Sequence, residues 1–129
     1  MTKKIFIVED DVTYLEFLKT SLQSKYEIQS FLNAEDCLIA LKSITPDVFI
    51  LDYYLPGMSG IDLYEKIKDT LSEDIKVIIL SSMDDTNLLF DFFKKGIRDY
   101  VIKDDMVIDA LLDAIEDVDD ESVDRFFAN

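Results

Sequence analysis

Positive charge, cysteine and histidine are all scarce in this sequence. Its 13 lysines and arginines face 28 aspartates and glutamates, which gives a formal net charge of −15. Because phosphate contacts need clustered basic side chains, we expect no direct binding of nucleic acid by this chain. The single cysteine, Cys37, excludes an intrachain disulfide framework and is expected in the core. The sequence has no histidine, so no imidazole of this chain can carry a phosphoryl group.

Long apolar runs are also missing. Only four apolar residues, 5–8, lie between the basic start and the acids at 9–11, which is too short for a signal-peptide core or a membrane span. A chain of 129 residues suits one domain that buries roughly two-thirds of its unfolded surface. We therefore expect a soluble, cytoplasmic protein that does not bind membranes. Residues 1–120 are predicted to form one domain, and residues 121–129 an acidic tail, one interpretation of which is the start of a linker.

Short apolar runs alternate with segments of helical periodicity. The runs at 5–8, 48–51 and 77–80 are apolar on both faces, which is typical of buried parallel strands. Residues 26–30 alternate apolar and polar, which indicates a half-exposed edge strand, and residues 100–102 form the last strand. Five helices follow the five strands. Apolar residues at helical spacing form the inner face of the first helix, at Tyr14, Leu15, Leu18 and Leu22, and of the fifth, at Val107, Ile108, Leu111, Leu112, Ile115 and Val118. Asp10 or Asp11 is available to cap the first helix, Asn33 with Asp36 marks the start of the second, and Gly96 is expected as a left-handed C-cap of the fourth. The sequence therefore predicts an α/β fold with a flavodoxin-like, doubly wound, five-stranded parallel sheet in the order 2-1-3-4-5.

Four of the predicted strands end in polar groups. Glu9 and Asp10 follow the first strand, Asp52 the third, Ser81 the fourth and Lys103 the fifth. Because parallel strands share a direction, these ends should meet at one edge of the sheet, where open α/β sheets bind ligands. Three carboxylates brought together repel, so either one holds a proton at a raised pKa or a cation occupies the cluster. Mg²⁺ is the expected cation, and the serine hydroxyl and the lysine charge suit a phosphoryl group on a carboxylate.

These residues, in this order, closely resemble the receiver domain of bacterial two-component response regulators over residues 3 to about 118. The resemblance implies that Asp52 is the phosphoacceptor and that Glu9 and Asp10 bind Mg²⁺ together with it. Tyr54 matches the position that lends its backbone carbonyl to the metal. Pro56 and Gly60 match the family's loop signature.

The resemblance also assigns the groups that respond to phosphorylation. Ser81 matches the hydroxyl that hydrogen-bonds the phosphoryl oxygen, and Lys103 matches the lysine that pairs with it. Tyr100 matches the aromatic residue whose rotamer follows the hydroxyl, although a static, half-buried tyrosine is an equally good interpretation. Tyr54 and Met83 occupy positions where receivers tune water access, and their bulk predicts slow loss of the phosphoryl group.

The function implied by the resemblance is a signalling switch, which catalyses only its own phosphorylation and slow dephosphorylation. A sensor histidine kinase or a phosphotransfer protein would donate the phosphoryl group from a phosphohistidine to Asp52, with Mg²⁺ bound. The surface of the fourth helix, fifth strand and fifth helix would then change for an output domain or a downstream protein. A second copy of the chain is a candidate partner after phosphorylation.

One departure from the family concerns the residue after Lys103. Proline in a cis peptide is usual there, but this chain has Asp104, and a cis bond before a non-proline residue costs roughly 3 to 4 kcal/mol. The peptide is therefore either strained or trans with a rearranged loop. The departure keeps open an alternative in which the chain is a pseudo-receiver that is not phosphorylated and acts as a protein-binding module.

Two other classes of protein fit the residues less well. A haloacid-dehalogenase-type phosphatase needs a second acid two residues after its nucleophile, where this chain has Tyr54. A flavin-binding module needs a Ser, Thr and Gly phosphate loop after the first strand, where this chain has acids at residues 9–11 that repel phosphate.

Overall fold

A parallel five-stranded sheet lies at the centre of the computed structural model, which describes residues 2–82 and 86–116. The apolar runs form strands that extend one residue beyond the predicted bounds at several ends, and the alternating segment predicted at 26–30 forms a strand at 27–31. The strands are β1 (Lys4–Val8), β2 (Glu27–Phe31), β3 (Val48–Asp52), β4 (Lys76–Ser81) and β5 (Asp99–Ile102). Their order across the sheet is β2-β1-β3-β4-β5, which confirms the prediction. All four strand pairs are parallel.

Helices cover both faces of the sheet, so the fold is doubly wound. They are α1 (Val12–Leu22), α2 (Ala34–Ala40), α3 (Gly60–Ile67), α4 (Thr86–Lys94) and α5 (Val107–Glu116), with a 3-10 turn at Lys68–Thr70. Because successive side chains of a strand point to opposite faces, each strand contributes to two apolar clusters. Ile50 packs in the cluster with α1 and α5, whereas Phe49 packs in the cluster with α2, α3 and α4.

Polar residues mark the helix ends as the sequence predicted. Asp11, rather than Asp10, caps α1, because its side chain accepts a hydrogen bond from the Tyr14 backbone N–H. Asn33 caps α2 in the same way. Gly96 follows α4 with a φ of +101°, the left-handed conformation that glycine adopts without strain.

The core contains most of the residues predicted from helical spacing. Cys37 is buried on α2, and burial raises the pKa of its thiol to about 12, as expected for a core cysteine. On α5 the predicted Leu111 and Ile115 are buried, together with Ala114, which the sequence reasoning had not included. Three predictions, on Met83, Val118 and the tail at 121–129, lie outside the described residues.

Among the helices of the described ranges, none combines the length and apolar character needed to cross a membrane.

Gly60 holds the loop after β3 close to the strand. A Cβ at this position would lie 2.2 Å from the Asp52 carbonyl oxygen, whereas a Cβ at Gly57 would meet nothing within 4 Å. Gly60→Ala is therefore expected to lower the free energy of unfolding by about 2 to 3 kcal/mol, because backbone must move. Gly57→Ala, with a φ of +78°, should cost only about 1 kcal/mol for the left-handed backbone. Urea unfolding of both variants measures the difference, and equal losses would contradict it.

Candidate functional site

The predicted site residues meet at the carboxyl edge of the sheet. Glu9 directly follows β1, Asp52 ends β3, and Ser81 ends β4. These three residues are buried, with exposed fractions of 1%, 4% and 0%, whereas Asp10 is exposed. Carboxylate oxygens of Glu9, Asp10 and Asp52 all lie within 4.8 Å of one another. The juxtaposition that the strand ends predicted is therefore present.

Backbone hydrogen bonds beyond the regular strands hold these ends in place. The Glu9 N–H donates to the Phe31 carbonyl at 3.0 Å, and the Lys103 N–H donates to the Ser81 carbonyl at 2.8 Å. The Glu9 side chain in turn accepts a hydrogen bond from the Asp11 N–H at 3.0 Å. The start of α1 thus fixes the orientation of the Glu9 carboxylate.

Lys103 reaches the two buried acids. Its Nζ atom lies 2.8 Å from Glu9 Oε1 and 3.3 Å from Asp52 Oδ1. The peptide that joins Lys103 to Asp104 is trans, since the described residues contain no cis bond. Asp104 instead organises the turn before α5, because its Oδ1 accepts a hydrogen bond from the Met106 N–H at 2.9 Å and its carbonyl accepts from the Val107 N–H at 3.1 Å. A trans peptide at this position is therefore compatible with a lysine that contacts Asp52.

The cluster carries more negative charge than its one lysine balances. Burial and the nearby Glu9 charge raise the pKa of Asp52 to about 7, although Lys103 opposes the rise. Burial alone would lower the pKa of Lys103, but its contacts with Glu9 and Asp52 outweigh burial and raise it. The ammonium group is therefore firmly charged, whereas ionisation of Asp52 is costly in the absence of a further cation.

Comparison with known proteins identifies this arrangement. The profile described as the response regulator receiver domain matches residues 5–116, which includes every strand end described above. The chain belongs to the response regulator receiver family. Its fold, with five parallel strands in the order 2-1-3-4-5, is that of receiver domains of known structure.

Similar receivers occur in longer regulators and as separate domains. The phosphate regulon transcriptional regulatory protein PhoB of Rhizobium meliloti is 30% identical over 105 residues, which cover 80% of this chain and 46% of PhoB. The structure of DrrB from Thermotoga maritima, an OmpR/PhoB homologue, is 31% identical with a TM-score of 0.79 and covers 90% of this chain and 52% of DrrB. The structure of TrrA from Thermotoga maritima, a complex with Mg²⁺ and BeF, is 30% identical with a TM-score of 0.77 and covers 89% of this chain and 97% of TrrA. This receiver therefore spans about half the length of the curated relatives that it matches first.

The donor set of this receiver fits a hard divalent cation. Three carboxylates supply oxygen ligands, which Mg²⁺ prefers. The buried Glu9 Oε1 receives the ion pair from Lys103 but no well-formed hydrogen bond from any described residue, so it has capacity for a cation. Tyr54, whose carbonyl is the fourth predicted ligand, lies in the loop after β3, with its N–H 3.4 Å from Asp52 Oδ1. Its side chain is 55% exposed.

The two predicted switch residues of the receiver are both buried. Ser81 is inaccessible to solvent. Tyr100 is only 6% exposed, so it is more deeply buried than the half-buried tyrosine considered from the sequence. The difference arises because the Tyr100 ring packs against Phe92 of α4, with centroids 5.4 Å apart. Phe92 also contacts the ring of Tyr53, at 5.5 Å, the residue directly after Asp52. Aromatic packing therefore connects the loop after the receiver's β3 to α4 and β5.

One neighbour of the site was missed by sequence reasoning. Tyr14 was assigned only to the apolar face of α1, but Lys103 Nζ lies 4.7 Å from the centre of its ring. The sequence feature that could have indicated this contact is the position of Tyr14 in the first turn of the helix that follows the acids, because this turn lies beside the receiver's carboxylate cluster.

Asp52→Asn is expected to stabilise the fold in EDTA, because it removes a buried charge beside Glu9. The folded-state pKa of about 7 lies above the ordinary value of 3.8, so wild-type stability is lost as pH rises through about 7. The gain in the variant should therefore be smaller at pH 5 than at pH 8, where we expect about 1 to 3 kcal/mol. Urea unfolding at both pH values measures it. Asp69→Asn, which alters an exposed acid, is the matched control, and an equal gain in both variants would contradict the account.

Proposed function

We propose that this receiver is a phosphorylation-controlled switch that accepts a phosphoryl group on Asp52. The donor is the phosphohistidine of a sensor histidine kinase or a phosphotransfer protein, and the reaction depends on Mg²⁺. The observation that carries the proposal is the place of Asp52, which is buried, 3.3 Å from Lys103 Nζ, and within 4.8 Å of the Glu9 and Asp10 carboxylates. A carboxylate in this setting can act as a nucleophile towards phosphorus.

The transfer is a single displacement at phosphorus. A carboxylate oxygen of Asp52 forms the new P–O bond as the P–N bond to the donor imidazole breaks, and the released nitrogen takes up a proton from solvent. The Lys103 ammonium lies where it can balance the charge on the phosphoryl oxygens. A Mg²⁺ ion held by Glu9, Asp10, Asp52 and the Tyr54 carbonyl would supply the remaining positive charge. The complex of the related TrrA with Mg²⁺ and BeF supports this choice of cation.

The phosphoryl dianion is proposed to rearrange the groups around it. Charge-assisted hydrogen bonds from Ser81 and Lys103, at roughly 1.5 to 3 kcal/mol each, approach the ~5.5 kcal/mol that inverts a 1:99 equilibrium. Displacement of Ser81 would alter the packing of Tyr100 against Phe92 of α4, which are now 5.4 Å apart. The surface of α4, β5 and α5 is therefore the proposed output.

The proposed partners follow from this surface and from the donor. The receiver would meet the kinase or phosphotransfer protein at the acid cluster, in the cytoplasm. An output domain or a downstream protein would read the surface of α4, β5 and α5, and a second copy of the chain is a further candidate. This receiver matches 46% of the length of the transcriptional regulator PhoB, which supports an output domain as the partner that reads this surface.

The proposal is tested by intact mass after incubation with acetyl phosphate. With Mg²⁺ present, the mass should increase by one phosphoryl group, and EDTA should prevent the increase. After removal of the donor, the bulk of Tyr54 beside Asp52 predicts that the group persists for minutes rather than seconds. Absence of added mass with Mg²⁺ would contradict the proposal and favour the pseudo-receiver that only binds partners.

A further inference from the structure

Tyr14 lies against the one lysine of the acid cluster. Its ring belongs to the first turn of α1 and is partly buried. Lys103 Nζ lies over the face of this ring, 4.7 Å from its centre, well within the ~6 Å over which an ammonium group is attracted to an aromatic face. The lysine therefore has three contacts: the Glu9 carboxylate, the Asp52 carboxylate and the Tyr14 ring.

Two hydrogen bonds link the backbone of Tyr14 to the acid cluster through Asp11. The Tyr14 N–H donates to Asp11 Oδ1 at 3.1 Å, and the Asp11 N–H donates to Glu9 Oε2 at 3.0 Å. The ring of Phe17, one helical turn further along, lies 5.7 Å from that of Tyr14. The Tyr14 backbone is thus linked through Asp11 to the carboxylate with which Lys103 pairs, and Tyr14 lies in helix α1 rather than in a loop.

The ring face, rather than the hydroxyl group, makes the contact with Lys103. The Tyr14 Oη atom is buried and forms no hydrogen bond with any described residue. Burial also raises the pKa of this phenol, so the side chain remains neutral at ordinary pH. A neutral ring attracts an ammonium group without forming a competing ion pair.

We propose that Tyr14 is a positioning residue for Lys103, whose ring keeps the ammonium group beside Asp52 during phosphorylation. The inference rests on the proposed function and extends it to a residue outside the predicted site. Lys103 now lies closer to Glu9, at 2.8 Å, than to Asp52, at 3.3 Å. A lysine that must leave Glu9 to meet a phosphoryl group on Asp52 needs a contact that it does not have to break, and the ring face provides one.

The test separates the ring from the hydroxyl group. Tyr14→Phe keeps the ring, whereas Tyr14→Leu and Tyr14→Met replace it with apolar side chains of similar burial. Phe90→Leu, on α4 and 48% exposed, is the control for loss of an aromatic ring away from the Tyr14–Lys103 contact. Thermal unfolding in EDTA establishes that each variant is folded before it is compared, and the methionine variant serves if the leucine variant is not.

Two measurements are made on each folded variant. In EDTA, the NMR signals of the Lys103 Hε protons should be shifted upfield by the ring in the wild type and in Tyr14→Phe, but not in the leucine or methionine variant. With acetyl phosphate and Mg²⁺, the rate of phosphorylation should fall about three- to tenfold in the leucine and methionine variants, as expected for loss of a partly buried cation–π contact. Tyr14→Phe should keep the rate within about twofold of the wild type, and Phe90→Leu should leave it unchanged.

Each outcome decides a separate point. Equal rates in the wild type and the leucine variant would overturn the positioning role, as would an equal loss in Tyr14→Phe, which would assign the effect to the hydroxyl group. An unshifted Lys103 signal in the wild type would overturn the contact itself. If the wild type takes up no phosphoryl group at all, the proposed function fails, and the role of Tyr14 in it fails as well. The NMR signal still shows in that case whether the ring holds the lysine.

Discussion

Asp52→Asn is expected to abolish phosphorylation of the receiver by acetyl phosphate in the presence of Mg²⁺. Asparagine preserves the size of the side chain but lacks the anionic oxygen that attacks phosphorus, so the loss should be complete within the sensitivity of intact-mass measurement. No other acid in the described ranges is equivalent to Asp52 in position. Asp10 of the same cluster is exposed, and Glu9 is paired with Lys103 at 2.8 Å.

Two matched variants make this result specific. Asp69→Asn removes an exposed acid outside the cluster and should be phosphorylated like the wild type. Asp10→Asn removes a proposed ligand of Mg²⁺ but leaves the nucleophile, so it should slow the reaction and raise the concentration of Mg²⁺ that is needed. Phosphorylation of Asp52→Asn at the wild-type level would show that another residue is the acceptor, and peptide mapping would identify it.

Lys103→Met is expected to destabilise the receiver strongly in EDTA. The variant removes the only cation that the described residues bring to the buried Glu9 and Asp52 carboxylates, whose side chains are 1% and 5% exposed. Removal of one partner of a buried ion pair leaves the other partner's charge buried and uncompensated. We expect a loss of about 2 to 4 kcal/mol at pH 8, somewhat below that of a fully buried pair, because the Lys103 side chain is 20% exposed. A smaller loss is expected at pH 5, where Asp52 can take up a proton.

Mg²⁺ should return part of the stability lost in Lys103→Met. The ion would bind the same carboxylates and supply the missing positive charge, so its stabilising effect should be larger in the variant than in the wild type. Urea unfolding in EDTA and in Mg²⁺ measures both effects. Lys42→Met, at an exposed lysine after α2, is the control and should change stability by less than about 0.5 kcal/mol. A Lys103→Met variant as stable as the wild type in EDTA would contradict the charge balance described here.

The sheet could be predicted because its signals are local. Four apolar residues in a row, as at 48–51, indicate a strand buried on both faces, and the alternating segment at 26–30 indicates an edge. The rules for connections between parallel strands leave few possible strand orders, and with the segment at 26–30 at an edge they favour β2-β1-β3-β4-β5. The carboxylate cluster was predictable for the same reason, because the ends of parallel strands must share one edge of the sheet. The position of Asp52 at this edge followed from the end of its strand alone, without any knowledge of side-chain conformations.

Contacts made by long side chains could not be predicted in this way. The closer approach of Lys103 to Glu9 than to Asp52 depends on a rotamer chosen by burial and by the charge of both acids. The trans peptide after Lys103 depends on the turn that Asp104 forms with Met106. The ring of Tyr14 contacts Lys103 through an arrangement of α1 and the loop after β5, two segments far apart in sequence. These features are tertiary, and periodicity carries no information about them.

The central claim is that one pocket holds both the divalent cation and the phosphoryl group. A crystal structure of this receiver with Mg²⁺ and beryllofluoride, which mimics a phosphoryl group on a carboxylate, tests it most directly. We expect Mg²⁺ bound by Glu9, Asp10, Asp52 and the Tyr54 carbonyl, with beryllofluoride on the other Asp52 oxygen and its fluorine atoms contacted by Lys103 and Ser81. A structure in which the cation binds away from Glu9 and Asp10, or in which Asp52 carries no beryllofluoride, would contradict it.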